Sequence, residues 1–192
     1  MFVKNYLDFK MKHIRQYVRK IILEEQLTSG MKRKLGPDEK AHIEFTNGFY
    51  NITIRNPSKT VAEMWLSPIA EVNDEPWSTR DNCYDEYSYQ YLEVGPGISR
   101  AENKYGPLLY DIAMEYAHQM GMAIVPDRSG VSEPASVMWK YYNERRPDVK
   151  FIPFENDHPC FYKKYDPDRQ YLNGAYYKPN REYLDSLNVE TP

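Results

Sequence analysis

Asn47-Gly48 separates two runs that alternate with period two, His42-Ile43-Glu44-Phe45-Thr46 and Phe49-Tyr50-Asn51-Ile52-Thr53-Ile54-Arg55. Asn-Gly most readily supplies the two positive-φ residues of a type I′ turn, so this segment predicts a β-hairpin. It commits the chain to antiparallel sheet, which the rest of the sequence must extend or cover. Further strands are expected at Val61–Leu66, at Tyr87–Val94 (ended by Gly95-Pro96-Gly97), at Met122–Val125 and at Val149–Phe154. Asn51-Ile52-Thr53 has the form of a glycosylation acceptor, but no secretory signal is apparent to give it meaning.

Helical spacing enters between the later strands. Pro107 suits a first turn, and Leu109, Ile112, Ala113, Tyr116, Ala117 and Met120 then share one face until Gly121. On this helix Asp111 and Glu115 are expected on the solvated side. Ser132, Glu133 and Pro134 open a second helix, Ala135 to about Arg145, which Pro147 ends. Strands alternating with helices after an antiparallel meander point to a mixed α/β domain. Beyond Phe161 the chain is rich in Tyr, Pro and Asp without a clear period and is expected to be coil.

Ahead of the hairpin, Leu7, Met11, Ile14, Val18, Ile21 and Ile22 paint one face of a helix, with Lys10, Lys12, Arg15, Arg19 and Lys20 around it. The expected division is therefore a basic amphipathic helix over 1–27, a linker over 28–40, an α/β domain over 41–160 and a Tyr-rich extension over 161–192. Residues 1–40 hold 10 Lys+Arg against 5 Asp+Glu, and the remaining residues hold 15 against 23. The net charge of -3 thus averages a basic head and an acidic body, and argues against general nucleic-acid binding. The longest apolar runs, such as Met122–Val125, fall far short of the ~20 residues that span a bilayer. With two cysteines, Cys83 and Cys160, in no ligand or redox spacing, free thiols are expected. Asp157-His158-Pro159-Cys160 is a poor chelate, and no metal site is expected.

The order strand, loop, helix, strand, helix, strand from about 90 to 154, with Arg100-Ala101-Glu102-Asn103-Lys104-Tyr105-Gly106-Pro107-Leu108-Leu109-Tyr110-Asp111, the Val125-Pro126-Asp127-Arg128 turn and the Trp139-Lys140-Tyr141-Tyr142 helix, resembles the GNAT superfamily of acyl-CoA N-acyltransferases in a form like those encoded by tailed phages. The resemblance implies a mostly antiparallel central sheet flanked by helices, one strand splaying from its neighbour. It also implies a loop that wraps the CoA pyrophosphate at the next helix N-terminus. Val94, Arg100, Asn103, Lys104, Tyr105 and Gly106 match that loop, with Asn103 and Tyr105 standing where the family has glycines. Tyr141 and Tyr142 lie nearest the family's general acid, and Glu93 stands where a nearly buried general base is often found.

The implied activity is transfer of acetyl from acetyl-CoA to an amine on a small molecule or protein, in the cytoplasm of an infected bacterium. Two alternatives accompany it: a catalytically silent scaffold packaged in the virion, and a module that binds a host factor. The basic helix has three readings: the first helix of the α/β domain, its apolar stripe packed on the sheet; a membrane-surface helix; and, since it resembles N-terminal tags of phage head proteins, some cut after Leu/Ile-x-Glu as Ile22-Leu23-Glu24 and Leu23-Glu24-Glu25 would allow, a segment (residues 1–25) that addresses capsid proteins.

Overall fold

The hairpin forms at Asn47-Gly48, both residues at positive φ (55° and 84°). It joins β1 (Lys40–Thr46) to β2 (Phe49–Arg55), with Thr46 opposite Phe49 and Lys40 opposite Arg55. In this computed structural model the described residues are 34–69, 90–95, 100–102, 105–127, 130–158, 160–161 and 167–184. The expected helix over 1–27, the first part of the linker, the acidic stretch 74–85, Asn103 and Lys104 lie outside them.

β3 (Thr60–Pro68) adds to β2, and β4 (Tyr91–Val94) adds to β3. β5 (Arg100–Ala101) returns to β3 farther along it. Helix α1 (Tyr105–Gln119) then crosses to β6 (Ala123–Val125), which lies parallel to β4. Helix α2 (Glu133–Arg145) leads to β7 (Lys150–Pro153), and a 3-10 turn (Pro167–Leu172) leads to β8 (Gly174–Tyr177). The sheet order is β1-β2-β3-β4-β6-β8-β7, with β5 beside β3, and every pairing except β4 with β6 is antiparallel. Among the described residues the fold is a mixed α/β arrangement of eight strands and two α-helices.

Period two assigns the faces. Ile43, Ile52, Ile54, Met64, Leu66, Leu92, Val94, Ile124 and Tyr176 pack on one side with both helices. Trp139 joins helix to sheet there, its ring 4.8 Å from Tyr176 and 5.0 Å, edge-on, from Tyr110. Tyr91, Ala123, Val125 and Ala175 face the other way, against Phe154, Cys160 and Phe161. α1 is buried around its circumference from Pro107 to Ala117, which sets the demands on its polar residues.

Three expectations are corrected. The coil expected after Phe161 contains β8, which lies between β6 and β7, because Ala175 and Tyr176 bury one on each face and Gly174 permits close approach to β7. Asp111 and Glu115 are fully buried, since α1 has no solvated side at those positions. Cys160 is disulfide-bonded rather than a free thiol; Cys83, the chain's other cysteine, lies outside the described residues. Asn51, the asparagine of the glycosylation-like triplet, is buried in mid-strand, opposite Glu44 and Trp65. No helix among the described residues is long and apolar enough to cross a membrane.

Candidate functional site

The matched loop leaves the sheet where β4 parts from β6. Parallel pairing runs through Tyr91 with Ala123, Leu92 with Ile124 and Glu93 with Val125, and stops there. The described residues on either side of 96–99 both lie on β3: Val94 opposite Leu66, and Arg100 opposite Glu63 with Ala101 opposite Ala62. Gly95 makes that course feasible. Its N–H donates to the Trp65 carbonyl at 2.8 Å, and a Cβ at this residue would sit 3.2 Å from the same oxygen.

The matched residues that are described have definite places. Glu93 is buried between Ser67 of β3 and Val125 of β6, pointing away from the helices by the alternation that turns Leu92 and Val94 toward them. Arg100 donates from Nε (3.2 Å) and Nη2 (3.0 Å) to Glu63 Oε2, while Glu63 Oε1 accepts from Trp65 Nε1 at 3.1 Å. With the Arg100 side chain 81% exposed, this ion pair is worth no more than about 1 kcal/mol, so a competing anion can draw the guanidinium away. Glu102 is engaged by Lys59. Thr60, Val61, Ala62, Arg100, Ala101 and Glu102 line a cleft of about 370 Å³ along this side of β3 and β5.

Tyr105 turns inward. Its ring is in the core, its N–H donates to the Glu102 carbonyl at 3.1 Å, and its hydroxyl donates to Glu39 Oε1 at 2.5 Å. Gly106 stands in the open, where an added Cβ would meet nothing within 4 Å. The first turn of α1 thus begins with a side chain folded away and one absent, at the helix end whose N–H groups lack intrahelical acceptors. On α2, Tyr141 is half-buried. Tyr142 is sealed in the core, its hydroxyl donating to the Pro107 carbonyl at 2.9 Å, and burial pushes its ionisation well above the ordinary tyrosine range.

Behind α1 lies a charged cluster built on Asp111 and Glu115, the two carboxylates expected on the solvated side. Arg146 Nη2 donates to Asp111 Oδ2 (3.1 Å) and Asp148 Oδ2 (2.6 Å), and its Nε donates to Asp148 Oδ1 (2.7 Å). Lys178 Nζ donates to Glu115 Oε1 at 2.8 Å, with both side chains almost wholly buried, and rests 4.4 Å from the Tyr183 ring centroid. Glu115 Oε2 accepts the backbone N–H groups of Tyr183 (2.8 Å) and Leu184 (3.2 Å). The cluster fastens α1 to the end of α2 and to the chain after β8. Apolar residues all around α1 are the signal that marks these carboxylates as interior, and interior carboxylates need cations.

Asp111 Oδ1 has no hydrogen-bond partner among the described residues. Burial therefore outweighs the attraction of Arg146 and Lys178, and the Asp111 carboxyl is pushed up to about 6. The folded chain then holds this proton more tightly than the unfolded chain, so the residue's contribution to stability falls as pH rises from about 4 through 6. Asp148, held below the usual carboxylate range chiefly by its Arg146 hydrogen bonds, slopes the other way. Asp111→Asn removes only the first slope. Measured by urea denaturation from pH 4 to 7, the variant's stability relative to the parent should rise by up to about 3 kcal/mol. A difference that stays flat with pH would refute the raised carboxyl.

No group of His, Cys, Asp and Glu among the described residues is arranged to hold a metal ion. In comparisons with protein-family models, curated proteins and solved structures, the chain matches none.

Proposed function

We propose that this chain is a GNAT-like N-acyltransferase that receives acetyl-CoA where the pairing of β4 with β6 ends and passes the acetyl group to an amine. The observation that carries the reading is the parting itself: parallel pairing ends at Glu93 and Val125 while the departing strand keeps its hold on β3. The start of α1 follows directly, an end of a helix that favours anions, and Gly106 and the inward Tyr105 leave room beside its backbone. Arg100 is the exposed cation beside it. The thioester supplies the acyl group. Glu93, buried beside the parting, is the group to take the proton given up by the amine. Tyr141 is the better proton donor for the departing thiolate, because the Tyr142 hydroxyl is already committed to Pro107.

Calorimetry with acetyl-CoA tests the reading. Micromolar binding is expected, weakened about tenfold or more by Arg100→Ala, which removes one charge-assisted contact to phosphate. No heat at near-millimolar ligand refutes it.

The disulfide at Cys160 favours a second reading, a catalytically silent protein of the same kind carried in the virion. Disulfides persist on virions and are kept reduced in cytosol. That reading predicts no acetyl-CoA binding and the presence of the chain, whole or beginning near Glu25, in purified particles by mass spectrometry.

A further inference from the structure

Tyr142 and Asp111 meet where α2 packs on the start of α1. Pro107 and Asp111 are four residues apart on α1 and so lie one above the other on the same face. The Tyr142 hydroxyl donates to the Pro107 carbonyl at 2.9 Å, and it also acts on the Asp111 carboxyl, whose charge it supports. Two acceptors thus compete for one proton. Arg146 holds Asp111 Oδ2, which leaves Oδ1, the oxygen without a partner among the described residues, to Tyr142. Asp111 and Tyr142 are 0% and 1% exposed, so bulk water cannot stand in for either. The charged groups around them come from every neighbouring element. Arg146, at the end of α2, places its guanidinium 5.3 Å from the Tyr142 ring centroid. Asp148 stands ahead of β7, Lys178 and Tyr183 follow β8, and Glu115 is one turn farther along α1.

We propose that the Tyr142 hydroxyl relays the state of Asp111 to the start of α1: it donates to Pro107 while Asp111 is a carboxylic acid whose Oδ1–H it accepts, and it turns to the carboxylate once that proton has gone to solvent. The acid form satisfies the whole chain, from Oδ1–H through the Tyr142 oxygen to the Pro107 carbonyl. Ionisation reverses the middle link. A carboxylate only accepts, so the hydroxyl must turn to it or leave a buried charge one hydrogen bond short. The Pro107 carbonyl then keeps only the Asp111 N–H, its ordinary helical partner. Burial pushes the Asp111 carboxyl up to about 6, which sets where the reversal falls. The relay needs no ligand and does not rest on the acyltransferase reading.

Carbon-13 NMR of the full chain from pH 4 to 8 tests it. The Asp111 carboxyl carbon, Tyr142 Cζ and the Pro107 carbonyl carbon should titrate together, with one midpoint at about 6. Asp111→Asn should leave the other two flat, which traces their titration to this carboxyl. In Tyr142→Phe, which loses a single oxygen, most of the Pro107 response should disappear. Asp111 should still titrate there, its midpoint moved up because the hydroxyl no longer supports its charge. Circular dichroism melts check that both variants are folded. A Pro107 carbonyl that is flat with pH in the parent, or that titrates equally in Tyr142→Phe, overturns the proposal.

Discussion

Lys178→Ala is expected to cost about 3–5 kcal/mol, the usual penalty for removing one partner of a buried ion pair, and to lower the melting temperature by roughly 10 °C. The loss arises less from the missing attraction than from what remains. Glu115 would keep its charge with 0% of its side chain exposed to water, holding only the N–H groups of Tyr183 and Leu184. Replacing both partners separates these terms. Lys178→Met with Glu115→Gln fills the same space without charge, and the amide oxygen of Gln can still accept the two N–H groups. This pair should recover most of the stability in urea denaturation. If Lys178→Ala costs under 1 kcal/mol, or the pair of replacements is as damaging as the single one, the cluster is not the fastening described.

Gly174→Ala should be the other severe change, about 3 kcal/mol or more. A Cβ there would lie 2.2 Å from Phe151 Cε2 and 2.5 Å from the Ile152 carbonyl oxygen, and the second of these is backbone. A side chain can swing aside, but the carbonyl can yield only if β7 shifts against β8, at the pair Pro153 and Gly174. Amide exchange should therefore rise first in Lys150–Ile152. Adding Phe151→Ala relieves only the ring contact and should restore little. Gly106→Ala, with open space around its Cβ, serves as the control and should stay within about 0.5 kcal/mol of the parent. Equal behaviour of the two glycine variants would refute the close approach.

These two sites mark the limits of reading this fold from sequence. The hairpin was legible because its determinants are adjacent: two residues set the turn and period two sets the register. Both helices were legible in outline, although α1 begins at Tyr105, four residues before the regular apolar spacing that starts at Leu109. β8 was not. Gly-Ala-Tyr-Tyr is too short to show a period, and what makes it a strand is an inner position between β6 and β7. Asp111 and Glu115 resembled a solvated stripe because their cations lie 35 and 63 residues later in the chain. At the candidate site, the order of strand, loop and helix could be read from the residues, whereas an interior Glu93 followed only from the family resemblance. That Arg100 rests on Glu63, and that Tyr142 gives its hydroxyl to Pro107, depends on contacts 37 and 35 residues apart in the chain.

The place of β8 in the sheet also sets a schedule for synthesis. Among the described residues β7 pairs with β8 alone, so Lys150–Pro153 has no strand neighbour among them until Gly174–Tyr177 has left the ribosome. At about 5–20 residues per second, the roughly twenty intervening residues take one to four seconds. The Lys40–Arg55 hairpin, by contrast, closes on itself in microseconds once it emerges. During those seconds the nascent chain exposes β6 and β7 as two unfilled edges with a strand-wide gap between them. This interval is when a chaperone, or a strand from another chain, has its best opportunity to intervene.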